Sequence, residues 1–419
     1  MTSSRTARPV FVWVWLPGAT EPVVAGRLDA AGPAVTFTYG SSYLARPDAV
    51  PLYAPELPLR RGPIDPLPGL QIASCIRDAG PDAWGQRVIL ARHSGVTTAG
   101  VDTAELDQLT YLLESGSDRI GALDFQASPT EYVPRSETAP LDTLVEAAAM
   151  LDAGLPLPEP VEAALIRGTS VGGARPKVLV ESEGRHWIAK LSSSTDTYPV
   201  VKAEAVGMEL GRRVGLQVPT TRVRTAMKRD VLLVERFDRT PVPGQRRMLV
   251  SALTILGLDE LAARHATYPE LADAIRRDFT DADATLRELF SRIVFNICIG
   301  NIDDHARNHA AFWNGHQLAL TPAYDLCPQL RSGETAFQAM AIGRGGERAS
   351  QLQVCLDAAA EYHLDRTAAA DIIDHQLTVI SEQWADAADA AGLTELERQM
   401  LWGRQILNPF IRYDYTPTH

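Results

Sequence analysis

Short runs in which β-branched and aromatic residues alternate with polar ones open the chain. Val10 to Trp15, Glu21 to Gly26 and Ala34 to Tyr39, separated by turn formers, predict a small antiparallel sheet. From about Arg46 to Gly69 proline replaces periodicity, and an ordered loop is expected there. Helical spacing returns at Asp82 to Arg92 and Thr103 to Leu113. A stretch rich in Ser, Thr and Pro, Ala127 to Pro140, then changes the composition and marks a boundary. Leu141 to Arg167 reads as helix and runs into the small-residue loop Gly168 to Ala174. Two apolar strands, Lys177 to Glu181 and His186 to Leu191, flank Ser182-Glu183-Gly184, which is a hairpin signal. An amphipathic helix follows over Val200 to Val214, with Gly215 at the C′ position, and strands near Thr220 to Thr225 and Val231 to Phe237 complete a second small sheet. Beyond Pro243 the pattern is mostly helical, including the apolar helix Leu286 to Ile299 and the terminal segments Arg366 to Gln383 and Glu395 to Leu407.

These elements predict three units: a β-rich domain over residues 1–130, a small sheet with one helix over 131–240, and a helical unit over 241–419. The length of 419 residues agrees, since about 150 residues per unit leads one to expect two or three. A net charge of −12 makes the chain a poor general binder of nucleic acid or anionic membrane, because both repel it at long range. Cys75, Cys298, Cys327 and Cys355 are scattered, without a C-x-x-C pair, and are expected as buried free thiols in a reducing cytoplasm. Val10 to Leu16 is short and broken by Pro17, so a signal peptide is not expected, and no apolar stretch reaches membrane-spanning length.

The charge-dense segment Gly300-Asn301-Ile302-Asp303-Asp304-His305-Ala306-Arg307-Asn308 follows directly on the apolar helix. Asp325, in Tyr324-Asp325-Leu326, is reached through an apparent hairpin, Ala310 to Trp313 and Gln317 to Leu320. Asp303, Asn308 and Asp325 can therefore converge. Phosphoryl transfer needs such a set: one Asp beside the attacking hydroxyl, and an Asn with a second Asp whose oxygens hold Mg²⁺ on the nucleotide phosphates. Upstream, Lys190 in Trp187-Ile188-Ala189-Lys190-Leu191 presents one ammonium from an apolar strand. Glu204, on the following helix, is placed to orient it. Ser170-Val171-Gly172-Gly173-Ala174-Arg175-Pro176-Lys177 combines glycines that admit close backbone approach with two basic residues suited to phosphate. Glu235-Arg236-Phe237-Asp238 ends the small sheet where a hinge to the helical unit would hold adenine.

In this order the motifs resemble the HipA family of toxin serine/threonine kinases, over nearly the whole chain. Pro81-Asp82-Ala83-Trp84-Gly85 is similar to part of that family's N-terminal domain. The resemblance implies an α+β, protein-kinase-like and phosphatidylinositol-kinase-like bilobal fold, with a β-rich N-terminal domain and a helical C-terminal lobe. It implies an ATP- and Mg²⁺-dependent kinase in which Asp303 is the catalytic base and Asn308 and Asp325 are the metal ligands. Lys190 would contact the α- and β-phosphates, His305 and Arg307 would line the phosphates, and Tyr324 would adjoin the nucleotide. Gly172, Gly173, Ala174, Arg175, Pro176 and Lys177 would form the phosphate loop, and Glu235, Arg236 and Phe237 would read adenine through hinge backbone groups. Arg175-Pro176 stands where some members carry Gln-Glu. The family also implies autophosphorylation at Ser170, which displaces the loop, a HipB-like helix-turn-helix antitoxin as partner, contact with operator DNA only through it, and a protein of translation, such as an aminoacyl-tRNA synthetase, as target.

Taken one at a time, the residues admit plainer readings. Asp303 and Asp304 fit a solvated turn, Lys190 a strand-edge charge, Gly172-Gly173 a simple turn, and Glu204 an exposed helix position. His305 and His309 are spaced as a metal pair would be on a helix, but Gly300-Asn301 is expected to end that helix. Two other functions share the motif set: a small-molecule phosphotransferase, and a nucleotide-binding, non-catalytic co-repressor.

Overall fold

The computed structural model describes residues 9–94, 106–135, 139–153, 155, 162, 165–166, 175–193, 196–331 and 333–416. Three antiparallel sheets and a set of helices make up the described chain. The N-terminal sheet contains β1 (Val10–Val14), β2 (Val23–Ala31), β3 (Ala34–Tyr39), β4 (Pro63–Ile64) and β5 (Leu123–Gln126), in the order β4-β3-β2-β1-β5. The two strands beyond the expected three close its edges. β5 lies against β1, with Val12 opposite Phe125, although more than a hundred residues separate them.

The second sheet contains β6 (Lys177–Ser182), β7 (Arg185–Leu191), β8 (Thr221–Ala226) and β9 (Arg229–Glu235), in the order β6-β7-β9-β8. Its first hairpin turns on Glu183 and Gly184, both with positive φ, the pairing a tight two-residue turn requires. The helix Val200–Arg213 crosses between the hairpins and ends before Gly215, whose φ of 93° supplies the expected left-handed stop. One face of the sheet is apolar. Val178, Trp187, Ala189, Leu191, Val231 and Leu233 pack there with Trp84, Val88, Leu144 and Val145. The helix expected over Leu141 to Arg167 is observed over Leu141–Asp152.

The third sheet joins β10 (Leu249–Ser251), β11 (Ala310–Trp313) and β12 (Leu318–Leu320). The helix Ala282–Ile299 precedes β11 in the chain. Asp281 caps its first turn, and its last three turns are almost wholly buried. Gly300 ends the helix at φ 71°, and a Cβ there would come within 2.6 Å of the Gln405 carbonyl oxygen, so the turn into the polar segment requires glycine. The helical core is continuous with the core of the N-terminal sheet, and one buried cluster runs from Val12 and Phe125 to Phe295 and Ile373. All four cysteines are buried free thiols. Among the described residues no helix is long and apolar enough to cross a membrane.

Candidate active site

Lys190 faces away from the apolar side of the second sheet, toward the helix Val200–Arg213 and the segment after β12. Its ammonium donates to Glu204 Oε1 at 2.5 Å and to Asp325 Oδ1. Burial alone would depress this ammonium, but the charges of Asp325 and Glu204 outweigh it and hold Lys190 well above its ordinary value. Asp325 is held low by the same pairing against the opposing effect of burial. The plainer reading of Lys190 as an edge charge does not fit, because β7 is an interior strand and the ammonium is engaged by two acids from other segments.

Asp325 has φ 56°, a backbone region that residues with a β-carbon seldom adopt. Two bonds fix it there: its carbonyl accepts from Asn301 Nδ2 at 3.2 Å and from the Cys327 amide at 2.9 Å. Asn301 also donates to Asn296 Oδ1 at 3.0 Å. The buried end of the helix Ala282–Ile299 therefore sets the position of Asp325 through one side chain. Tyr324 donates its hydroxyl to the Arg307 carbonyl at 2.7 Å, a second tie between the two segments.

Asp303 and Asp304 divide the work. Asp304 is buried and accepts from Tyr268 Oη at 2.5 Å, Asn296 Nδ2 at 2.8 Å and His309 Nε2 at 2.8 Å. His309 is thus the partner of an anchoring carboxylate. Burial would raise the Asp304 carboxyl, yet His309 and Tyr268 bring it below its usual range. Asp303 points outward and is exposed. Its carboxyl is raised chiefly by partial desolvation and further by the neighbouring Asp304 and Asp325, while His305 opposes the rise. Asn308, in the short 3₁₀ turn Ala306–Asn308, donates Nδ2 to the Asp303 carbonyl at 3.2 Å, which leaves its Oδ1 as an acceptor beside the acids. The Nδ1 of His305 is buried without a partner among the described residues.

Several expected nucleotide contacts are engaged elsewhere. Lys177 Nζ bonds Asp82 Oδ2 at 2.8 Å, with both side chains nearly inaccessible, so this lysine does not present a free ammonium to a phosphate. Arg307 donates to both Glu260 carboxylate oxygens and lies 3.9 Å from Asp78, since these acids outcompete an open cleft for its guanidinium. Arg175 pairs with Asp196 at 2.5 Å. Two of the three residues expected at the hinge have their amides engaged. The Glu235 amide donates to the Thr220 carbonyl and the Arg236 amide to the His186 carbonyl, which leaves neither N–H for adenine. The Arg236 side chain is buried in an ionic network with Asp118 and Asp238. Phe237 instead lies beside Tyr324, with ring centroids 5.8 Å apart, and against Phe312 at 5.9 Å, an aromatic group the sequence reading did not assemble. Ser170, Gly172, Gly173 and Ala174 lie outside the described residues.

The structure thus joins a strand lysine to a helix glutamate and to an Asp after a hairpin, and joins the outward Asp303 to the Asn five residues on. Residues 169–384 match the family model described as HipA-like C-terminal domain, and residues 14–126 match that of the HipA N-terminal domain. The chain belongs to the HipA family of kinase toxins. It is 26% identical over 320 residues to Y4mE of Sinorhizobium fredii, covering 70% of this chain and 71% of that protein. It is also 26% identical over 183 residues to the serine/threonine-protein kinase toxin HipA of Shewanella oneidensis, covering 38% of this chain and 42% of that toxin. HipA of Shewanella oneidensis MR-1, solved in complex with HipB and its operator DNA, matches with a TM-score of 0.68 at 18% identity, over 93% of this chain and 95% of that one. This likeness establishes the expected kinase-like α+β fold, with its antiparallel sheets and helical C-terminal region.

Proposed function

We propose that the chain is an ATP- and Mg²⁺-dependent serine/threonine-protein kinase, the toxin of a toxin-antitoxin pair. The observation that carries this reading is the single ammonium of Lys190 held between Glu204 and Asp325, with Asp303 and Asn308 on the adjoining segment. In this reading Asp303 accepts the proton of the substrate hydroxyl, and its raised carboxyl suits a base near neutral pH better than an ordinary aspartate does. Lys190 turns to the α- and β-phosphates, and Phe237 and Tyr324 flank the base. The donors around Asp303 and Asp325 are hard oxygens carrying two like charges, which fits a small divalent cation. Asn308 and Asp325 would hold it, and when bound Mg²⁺ would offset the phosphate charge.

The three-unit division at residues 130 and 240, autophosphorylation at Ser170 with release of the glycine loop, and a HipB-like antitoxin belong to the same proposal. Support for the antitoxin is the matched Shewanella complex, whose HipA is bound to HipB. A protein of translation, of the aminoacyl-tRNA synthetase class, is proposed as target on the family resemblance. The test is transfer of label from ATP, with Mg²⁺, into proteins of a cell extract and into the chain itself. Asp303→Ala is expected to lower transfer by about a hundredfold or more, the scale of a lost general base. Equal transfer by the variant would refute the assignment.

A further inference from the structure

Two carboxylates of the N-terminal domain, Asp78 and Asp82, lie four residues apart and bond to different parts of the candidate site, Asp78 to Ser251 and Thr254 and Asp82 to Lys177. Asp78 is held from the helical side. It accepts from the Ser251 amide at 2.7 Å, Ser251 Oγ at 2.9 Å and Thr254 Oγ1 at 2.7 Å, and Arg307 approaches it at 3.9 Å. Ser251 sits directly against the catalytic segment, since the Ala252 amide donates to the His309 carbonyl at 2.7 Å. Asp82 is held from the sheet side. Its Oδ2 accepts from Lys177 Nζ at 2.8 Å while its Oδ1 caps the helix Ala83–Ser94 through the Gly85 amide at 2.6 Å. Lys177 is the cross-strand partner of Lys190, so whatever fixes Lys177 fixes the strand that presents Lys190.

We infer that the stretch Asp78 to Asp82 is a strap that ties the lysine-bearing sheet to the catalytic segment across the cleft, with Asp82 and Lys177 as positioning residues for nucleotide binding. The inference rests on the kinase reading for its function and on geometry alone for its existence. The covalent route between the two halves runs through the segment after Glu235, whereas Lys190 lies opposite Leu232, in the middle of β9. Within this sheet β6 is an edge strand, with β7 as its neighbour, and the Asp82–Lys177 pair holds the start of β6 from outside the sheet. The Asp82–Lys177 pair is nearly inaccessible to solvent, the setting in which breaking one partner leaves a buried, uncompensated charge and has a large effect. The strap is also stiff at both ends. Trp84 is fully buried with Val178 and Trp187 on one side, and Ala79 accepts from the buried Arg119 on the other.

Asp82→Asn isolates the pair, because a carboxamide oxygen still caps the Gly85 amide while the charge that binds Lys177 is gone. In the full-length chain, hydrogen exchange of residues 177–191 is expected to quicken in Asp82→Asn and in Lys177→Met. Affinity for a fluorescent ATP analogue with Mg²⁺ is expected to fall about tenfold in both, the effect of losing one charge-assisted contact. The double variant should be no weaker than the weaker single one. Wild-type exchange in Asp82→Asn would overturn the strap. Faster exchange with wild-type nucleotide affinity would overturn its positioning role. Absence of nucleotide binding by the wild-type chain would refute the kinase reading, and the exchange result alone would then judge the strap.

Discussion

Gly207 packs so closely on the carbonyl of Leu326 that any β-carbon there would overlap the oxygen. This contact joins the helix carrying Glu204 to the residue after Asp325, and Gly211 one turn later rests on the Leu326 side chain in the same way. Helix propensity favours alanine over glycine by about 1 kcal/mol, whereas forcing an atom into packed backbone costs about 1–3 kcal/mol. The steric effect should win. Gly207→Ala is expected to lower the melting temperature and to reduce phosphate transfer by displacing Asp325 from Lys190; a more stable, fully active variant would contradict this.

Asp304 is expected to act through structure rather than chemistry. Replacing it by Asn loses charge-assisted bonds from Tyr268, Asn296 and His309 in a buried site, at a cost of about 3 kcal/mol. Its carboxyl is depressed in the folded chain, so its contribution is fully present above the unfolded value of about 4 and is lost as pH falls through the folded value. Urea unfolding at several pH values should therefore show the wild type losing stability in acid more steeply than Asp304→Asn.

Asp303 carries the opposite shift, and its effect is read in rate. A base must be deprotonated, so a raised carboxyl means that activity declines at a higher pH than an ordinary aspartate, near about 4, would impose. The acid limb of kcat/KM is expected to lie above that value, with the fold intact by circular dichroism at the same pH. A flat profile down to about pH 4 would rule out Asp303 as the base.

The parts of this site legible in the sequence are those encoded locally. The run around Lys190 reads as a strand with one outward charge, and Gly300 announces the end of an apolar helix, and both are observed. Which of two adjacent acids faces outward is not local: Asp304 turns inward because Tyr268 and Asn296, on two other helices, meet it there. Arg236 looks like a hinge residue by position, but Asp118, brought near by the N-terminal domain, captures it. Lys177 likewise belongs by spacing to a phosphate loop, until a carboxylate 95 positions earlier takes it up. Pairings at such separations leave no periodic trace in a single chain. The closeness demanded at Gly207 leaves only a glycine inside a helical pattern, whose purpose appears once Leu326 lies beneath it.

In the proposed function Lys190 and Asp325 form one nucleotide site. Titration of the wild type, Lys190→Met and Asp325→Asn with a fluorescent ATP analogue, in Mg²⁺ and again in excess chelator, tests it directly. Mg²⁺-dependent binding is expected of the wild type, weakened about tenfold or more by Lys190→Met, with loss of the Mg²⁺ dependence in Asp325→Asn. Binding of equal strength in all three proteins, indifferent to the chelator, would contradict it.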